Sequence, residues 1–147
     1  MNGEIPGAVL FACTENAIRS PMASAIYKAS FGKNSYVQSA GIRRGEINPF
    51  MVEVTKEIGL DLSHHKPQTL ADLQDSLFDI IITLSPEAHH QAMELTRTMA
   101  VDVEYWPVMD PTLIDGNREQ RLAAYRDCRD ILSKKIEKRF GPLVKAS

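Results

Sequence analysis

Residues 13–20 read Cys13-Thr14-Glu15-Asn16-Ala17-Ile18-Arg19-Ser20 and follow the apolar run Ala8-Val9-Leu10-Phe11-Ala12. A loop that leaves a buried strand and enters a helix N-terminus can turn successive backbone N–H groups inward, and the helix dipole adds partial positive charge. Such a cradle fits a tetrahedral oxyanion. Arg19, at its far end, carries a planar guanidinium able to hold two oxygens of a phosphate at once. Cys13 sits at the base, where the arginine, the dipole and the amides all favour its thiolate. A thiolate beneath a bound phosphoryl group is placed for in-line attack. The Ser20 hydroxyl can donate to that thiolate, steadying it as attacker and later as leaving group. On this reading Cys13, Thr14, Glu15, Asn16, Ala17, Ile18 and Arg19 form the phosphate-binding loop. A cysteine in an apolar stretch is otherwise a small hydrophobe; the position at a strand-to-helix turn favours the chemical reading.

The elements that must position this loop alternate along the chain. Residues 8–12 read as a buried parallel strand. Ser20-Pro21 opens a helix to about Phe31, where Gly32 stops it. Residues 35–39 form a second short strand, and a helix follows from about Asn48 to Ile58, with Gly59 as its stop. Residues 79–84, Asp-Ile-Ile-Ile-Thr-Leu, are apolar on both faces and belong in the middle of a covered sheet. Ser85-Pro86 starts another helix, residues 101–106 make the fourth strand, and the last helix runs from about Arg118 to Phe140. In that helix Leu122, Tyr125, Cys128, Leu132 and Ile136 recur at steps of three and four, a single apolar stripe. The expected fold class is α/β, with a four-stranded parallel sheet and helices on both faces. Ligands in such sheets bind beyond the carboxyl ends of the strands, at a switch point; the loop at 13–19 lies at such an end.

Composition limits what else the chain does. At 147 residues, 1–147 reads as a single domain. Its 17 basic and 19 acidic residues leave no basic excess of the kind nucleic acid requires. No apolar run is long enough for a membrane span, and the N-terminus lacks the basic and apolar regions of a signal peptide. Two cysteines, Cys13 and Cys128, make neither a disulfide scaffold nor a zinc pattern. The expected location is therefore the cytoplasm, with no nucleic-acid or membrane partner. His64-His65 and His89-His90 are adjacent pairs whose side chains diverge, so no metal site is expected from them.

The run Val9-Leu10-Phe11-Ala12-Cys13-Thr14-Glu15-Asn16-Ala17-Ile18-Arg19-Ser20-Pro21 resembles the opening signature C-x5-R-[ST]-P of the low-molecular-weight protein tyrosine phosphatases. Ser39-Ala40-Gly41, Ser63-His64 and Asp110-Pro111 are similar to further segments of that family, so the resemblance spans nearly the whole chain. It implies a three-layer sandwich of the phosphatase-I type. It also implies a hydrolase acting through a cysteinyl phosphate without cofactor or metal, and a phosphorylated protein or small phosphomonoester as substrate. In that family the loop asparagine is left-handed and is held by two serines and a histidine. By resemblance those roles fall on Asn16, Ser20, Ser39 and His64; asparagine is among the few residues that tolerate positive φ.

Ester cleavage needs a proton on the leaving oxygen, and hydrolysis of the intermediate needs a base; one carboxyl group serves both steps. Asp110 follows the fourth strand, on the same sheet edge as Cys13, and its resemblance to the family's late Asp-Pro assigns it that role. The alternative is that Asp110-Pro111 only makes a turn. Asp115 is the second candidate acid, though Asp115-Gly116 also reads as a turn before the last helix.

Several positions depart from the family pattern. Glu15 stands where glycine is usual, and Ile18 replaces a second cysteine. Thr112 and Leu113 stand where aromatic residues flank a phosphotyrosyl ring in many members. The segment 39–65 resembles the related arsenate reductases more closely. Reduction through an internal cysteine relay needs a cysteine after the third strand, where this chain has Ser85, and Cys128 reads as core. Reduction with an external thiol needs only Cys13. The two expectations are thus phosphomonoester hydrolysis and, as alternative, thiol-dependent arsenate reduction. A non-catalytic oxyanion-binding protein is the third, disfavoured by retention of Cys13, Arg19, Ser20 and Asp110. Trp106 is expected either at the substrate mouth or in the core, and Lys134, Lys135, Lys138 and Arg139 on a solvated face.

Overall fold

A computed structural model of the chain describes residues 4–73 and 77–144. Four strands, β1 (Ala8–Cys13), β2 (Tyr36–Gly41), β3 (Ile80–Thr83) and β4 (Asp102–Tyr105), form one sheet in the order β2-β1-β3-β4. All three strand pairs are parallel, with Cys13 opposite Gly41 and Thr83 opposite both Ala12 and Tyr105. The helices are α1 (Arg19–Phe31), α2 (Pro49–Lys56), α3 (Pro86–Leu95) and α4 (Arg118–Phe140).

Side chains of β1 alternate between two cores. Val9, Phe11 and Cys13 face α1, α2 and α4, where they meet Met22, Tyr27, Met51, Tyr125 and Phe140. Leu10 and Ala12 face the opposite side, against Ala88 and Ala92 of α3. The sheet is therefore the middle of three layers, which is why β3 reads Ile-Ile-Ile-Thr without polar alternation and is buried along its whole length. The stripe on α4 closes the first core: Leu122, Tyr125, Cys128, Leu132, Ile136 and Phe140 are all buried.

Helix starts follow local chemistry. Asn48 and Ser85 cap α2 and α3 by accepting from the amides of Met51 and Ala88, each followed by proline at the first helical position. Asn117 and Gln120 make a reciprocal capping box on α4. The helix α1 is the exception, for Ile18 offers its first turn no side-chain cap.

Several sequence-based boundaries move. The strand expected at 35–39 runs on to Gly41, because Ala40 and Gly41 pair with Ala12 and Cys13. The helix expected to reach Ile58 stops at Lys56 and unwinds through a turn to Gly59, whose φ is 83°. Arg139 is only partly solvated: its Nε lies 2.9 Å from a Glu104 carboxylate oxygen and its guanidinium stacks on Phe140. Trp106 joins the core side, packing against Phe11 and Phe140 while its indole N–H donates to Glu104.

In the strand order the chain turns back between β1 and β3: β2 lies on one side of β1, β3 and β4 on the other. The loops leaving β1 and β3 therefore diverge at their carboxyl ends and open a crevice there. That crevice holds Cys13.

Candidate active site

Residues 14–18 connect the end of β1 to the start of α1. Their carbonyls are tied outward. The Thr14 carbonyl accepts from Ile42 N at 2.8 Å and Arg43 N at 3.1 Å, and the Glu15 carbonyl from Gly45 N at 2.9 Å. The Asn16 carbonyl faces His65 Nε2 at 2.8 Å. Carbonyl and N–H point opposite ways across a planar trans peptide, so fixing three successive carbonyls outward turns the following amides inward. Among the described residues, none of the amides of residues 14–18 donates to a backbone carbonyl. Together with the uncapped α1 N-terminus they make a concave set of donors.

Two features permit this geometry. Asn16 adopts φ 57°, the only positive φ at a non-glycine position among the described residues. Its buried side chain compensates the strain: Nδ2 donates to Ser20 Oγ at 2.8 Å and Ser39 Oγ at 2.9 Å, and Oδ1 accepts from Gln68 N at 3.0 Å. Gly41 allows the segment after β2 to lie against the loop, since a Cβ there would sit 2.8 Å from Asn16 N.

On the floor of the cradle Cys13 Sγ lies 2.9 Å from Ser20 Oγ, both buried. Arg19 is 9% exposed and uses one Nη1 hydrogen on the Val108 carbonyl at 2.9 Å; its other N–H groups have no protein acceptor among the described residues. Cys13, Arg19, Asp110, Thr112 and Arg43 line one cavity of about 300 Å³. Asp110 Oδ1 accepts from Thr112 N at 2.9 Å and Thr112 Oγ1 at 2.7 Å, capping the short 3₁₀ turn Pro111–Leu113. Its second oxygen takes no hydrogen bond among the described residues, so Asp110 can hold the turn and still present an oxygen to the cavity. Asp115 is exposed and does not line the cavity.

The structure brings Cys13, Asn16, Arg19, Ser20, Ser39 and Asp110 together at one sheet edge, as expected. It does not bring His64. That side chain is exposed and, among the described residues, its one hydrogen-bond contact is with its neighbour Ser63, Nδ1 to Oγ at 3.2 Å; His65 is the histidine on the loop. The reason is the turn at 61–65, in which Asp61 accepts from Ser63 N and His65 N donates to the Leu62 carbonyl. It sends consecutive side chains opposite ways and delivers the second of the pair inward. The sequence reading also missed Gln68, which donates through its backbone to Asn16 and through its side chain to the Ser39 carbonyl. Nothing local marks Gln68 in the sequence. Ser85, besides capping α3, accepts from Thr14 Oγ1 at 3.0 Å.

Glu15 is exposed, with its carboxylate 3.9 Å from Arg43 Nε; Arg43 Nη1 lies 2.9 Å from Glu87. Cys128 is buried on α4, and burial pushes its thiol up to about 12 against the opposing pull of Arg19. It is protonated at neutral pH and is not a nucleophile there. No group of three or more metal-ligating side chains occurs among the described residues.

Known proteins show the family of this chain. Residues 8–146 match the family described as low molecular weight phosphotyrosine protein phosphatase. An arsenate reductase of Staphylococcus epidermidis is 33% identical over 114 residues, covering 78% of this chain and 85% of its own. An arsenate reductase of Halalkalibacterium halodurans is 32% identical over 130 residues, covering 88% and 91%. The solved structure of a low molecular weight protein tyrosine phosphatase from T. tengcongensis superposes with a TM-score of 0.73 at 27% identity, covering 89% of this chain and 95% of that one. This chain therefore belongs to the low molecular weight phosphotyrosine protein phosphatase family, an enzyme family whose members include phosphatases and arsenate reductases.

Proposed function

We propose that the chain, as a single domain, hydrolyses phosphomonoesters through a cysteinyl phosphate at Cys13. The observation that carries this reading is the shared cavity: a thiol floor, an inward-facing set of amides, Arg19 and the spare oxygen of Asp110 all border the same space. The Cys13 thiolate attacks phosphorus in line, the bond to the leaving oxygen breaks, and Asp110 gives that oxygen its proton. Asp110 then takes a proton from water as the water attacks the phosphocysteine, and the thiolate departs with Ser20 donating to it. Throughout, Arg19 and the loop amides hold the charge on the equatorial oxygens. No metal is needed, because the loop itself supplies that positive charge.

A second reading is favoured by the relatives named arsenate reductase, which match over most of the chain. There a second thiol attacks the Cys13 sulfur of an arsenate adduct: the S–As bond breaks with its electron pair going to arsenic, arsenite leaves, and Cys13 and the thiol are oxidised to a disulfide. Within this chain the relay has no second partner: Ser85 occupies the position after β3 and cannot form a disulfide, and Cys128 is buried and protonated. An arsenate reductase built on this site would draw on an external thiol. The reading also places the protein in the cytoplasm, where two free cysteines stay reduced. No helix among the described residues is long and apolar enough to cross a membrane.

The deciding experiment assays p-nitrophenyl phosphate hydrolysis and thiol-dependent arsenate reduction on one preparation. Hydrolysis abolished by Cys13→Ser and unaffected by EDTA is the expected result. Arsenate turnover with added glutathione, without hydrolysis, would move the assignment to the second reading.

A further inference from the structure

Glu15 places a carboxylate on the rim of a loop built to hold a dianion, a position at which charge repulsion should weaken binding. The structure shows what stands against it. Arg43 follows β2 on the segment that ties down the carbonyls of Thr14 and Glu15, and its own backbone N–H donates to the Thr14 carbonyl. Its side chain borders the same cavity as Arg19 and Asp110. The guanidinium lies between two carboxylates, with Nε 3.9 Å from Glu15 and Nη1 2.9 Å from Glu87 at the start of α3. Only the Nη1 contact is within hydrogen-bond distance; the remaining N–H groups have no protein acceptor among the described residues.

We propose that Arg43 is a further binding residue of this site: the outer cation of the cradle, which offsets Glu15 and supplies a second positive charge for the bound oxyanion. The inference rests on the oxyanion-binding reading above and extends it to a residue outside the loop. Arg19 is buried and fixed at the inner end; Arg43 is 58% exposed in its side chain, and its charged partners among the described residues, Glu15 and Glu87, are themselves exposed. Its contribution is therefore electrostatic and screened by salt, whereas that of Arg19 is geometric. Glu87 competes with the anion for Arg43, so it weakens the cation it holds. An acidic rim residue becomes compatible with dianion binding because the neighbouring loop carries its counter-charge.

The test is calorimetric titration of inorganic phosphate into the full chain, at low and at high ionic strength, with the unfolding temperature of each variant as a folding check. Arg43→Ala keeps the backbone donor to Thr14, and it should weaken binding about fivefold at low salt and much less at high salt, the scale of an exposed charge pair. Arg43→Lys should stay within about twofold of wild type, and Glu87→Gln should tighten binding about twofold by releasing Arg43. Combining Arg43→Ala with Glu15→Gln should restore most of the loss, since the removed cation no longer has a carboxylate to offset. An unchanged affinity in Arg43→Ala at low salt overturns the proposal. An equal loss at both salt concentrations also overturns it, because a change of loop shape, not of charge, would then be responsible. Wild-type protein that binds no phosphate would overturn the oxyanion reading itself, which separates the two failures.

Discussion

Cys13 Sγ and Ser20 Oγ approach to 2.9 Å beneath the cradle, and the same Ser20 oxygen accepts from Asn16 Nδ2 at 2.8 Å. One hydroxyl thus couples the thiol to the left-handed residue that shapes the loop. Asn16 uses an acceptor side of Ser20, whose one proton can go to the Ala40 carbonyl at 3.4 Å or, once Cys13 is ionised, over the shorter 2.9 Å contact to the thiolate. Ser20→Ala should lower kcat by about tenfold to a hundredfold, the scale of a lost hydrogen bond to a charged group, with a smaller change in KM. Pre-steady-state kinetics with p-nitrophenyl phosphate separates formation of the phosphocysteine from its hydrolysis and shows whether both steps slow.

His65, facing the Asn16 carbonyl at 2.8 Å, should matter where His64 does not. His65→Ala frees that carbonyl and loosens the loop, so kcat should fall several-fold and stability by about 1 kcal/mol, the usual worth of one hydrogen bond. His64→Ala, on an exposed side chain, should match wild type in both. Activity and urea-unfolding curves of the two variants check this; equal effects would return the supporting role to neither.

Asp110 holds the turn with one oxygen and, in the proposed mechanism, the leaving-group proton with the other, which makes Asp110→Asn informative. Asparagine Oδ1 can still accept from Thr112 N and Oγ1, so the turn survives while the proton donor is lost. Loss of a general acid should cost about a hundredfold to ten-thousandfold in rate, more for phenols of high pKa than for p-nitrophenol. Phosphocysteine should also accumulate, because water has lost its base. Measuring kcat/KM across a series of aryl phosphates for both forms decides it; parallel slopes would leave Asp110 with the turn alone.

Cys128 gives a prediction about pH. Burial raises its thiol from 9.0 to about 12, so the native state keeps a proton that the unfolded chain releases. The stability this contributes is fully present below about pH 9 and is lost as pH rises through about 12. Cys128→Ser should flatten that alkaline decline relative to wild type while leaving neutral-pH catalysis nearly unchanged. Thermal unfolding between pH 8 and pH 11 follows the first effect, in the window set by the two values. Iodoacetamide at neutral pH should label Cys13 and spare Cys128.

Much of this site was written locally. The run from Val9 to Pro21 specifies a buried strand, a tight turn and a helix start, because each depends on residues a few positions apart; Asn16 is one of the few types able to take its φ of 57°. The stripe on α4 needs only a repeat of three and four, and it placed Cys128 in the core correctly. What local pattern could not decide was partnership over distance. Which of His64 and His65 reaches Asn16 depends on a turn held by Asp61 and by the half-buried Leu60 and Leu62, about fifty positions from the loop it serves. Gln68 supports Asn16 through a backbone amide, a group every residue but proline has and no sequence pattern distinguishes. That Glu15 has a cation 3.9 Å away follows only from the loop after β2, which brings Arg43 beside it. Strand and helix propensities act between neighbours, so the sequence by itself determined the loop and its layers. Orientation across the sheet edge emerges only when strands pair and cores pack, so the tertiary structure alone decided which side chains hold that loop in shape.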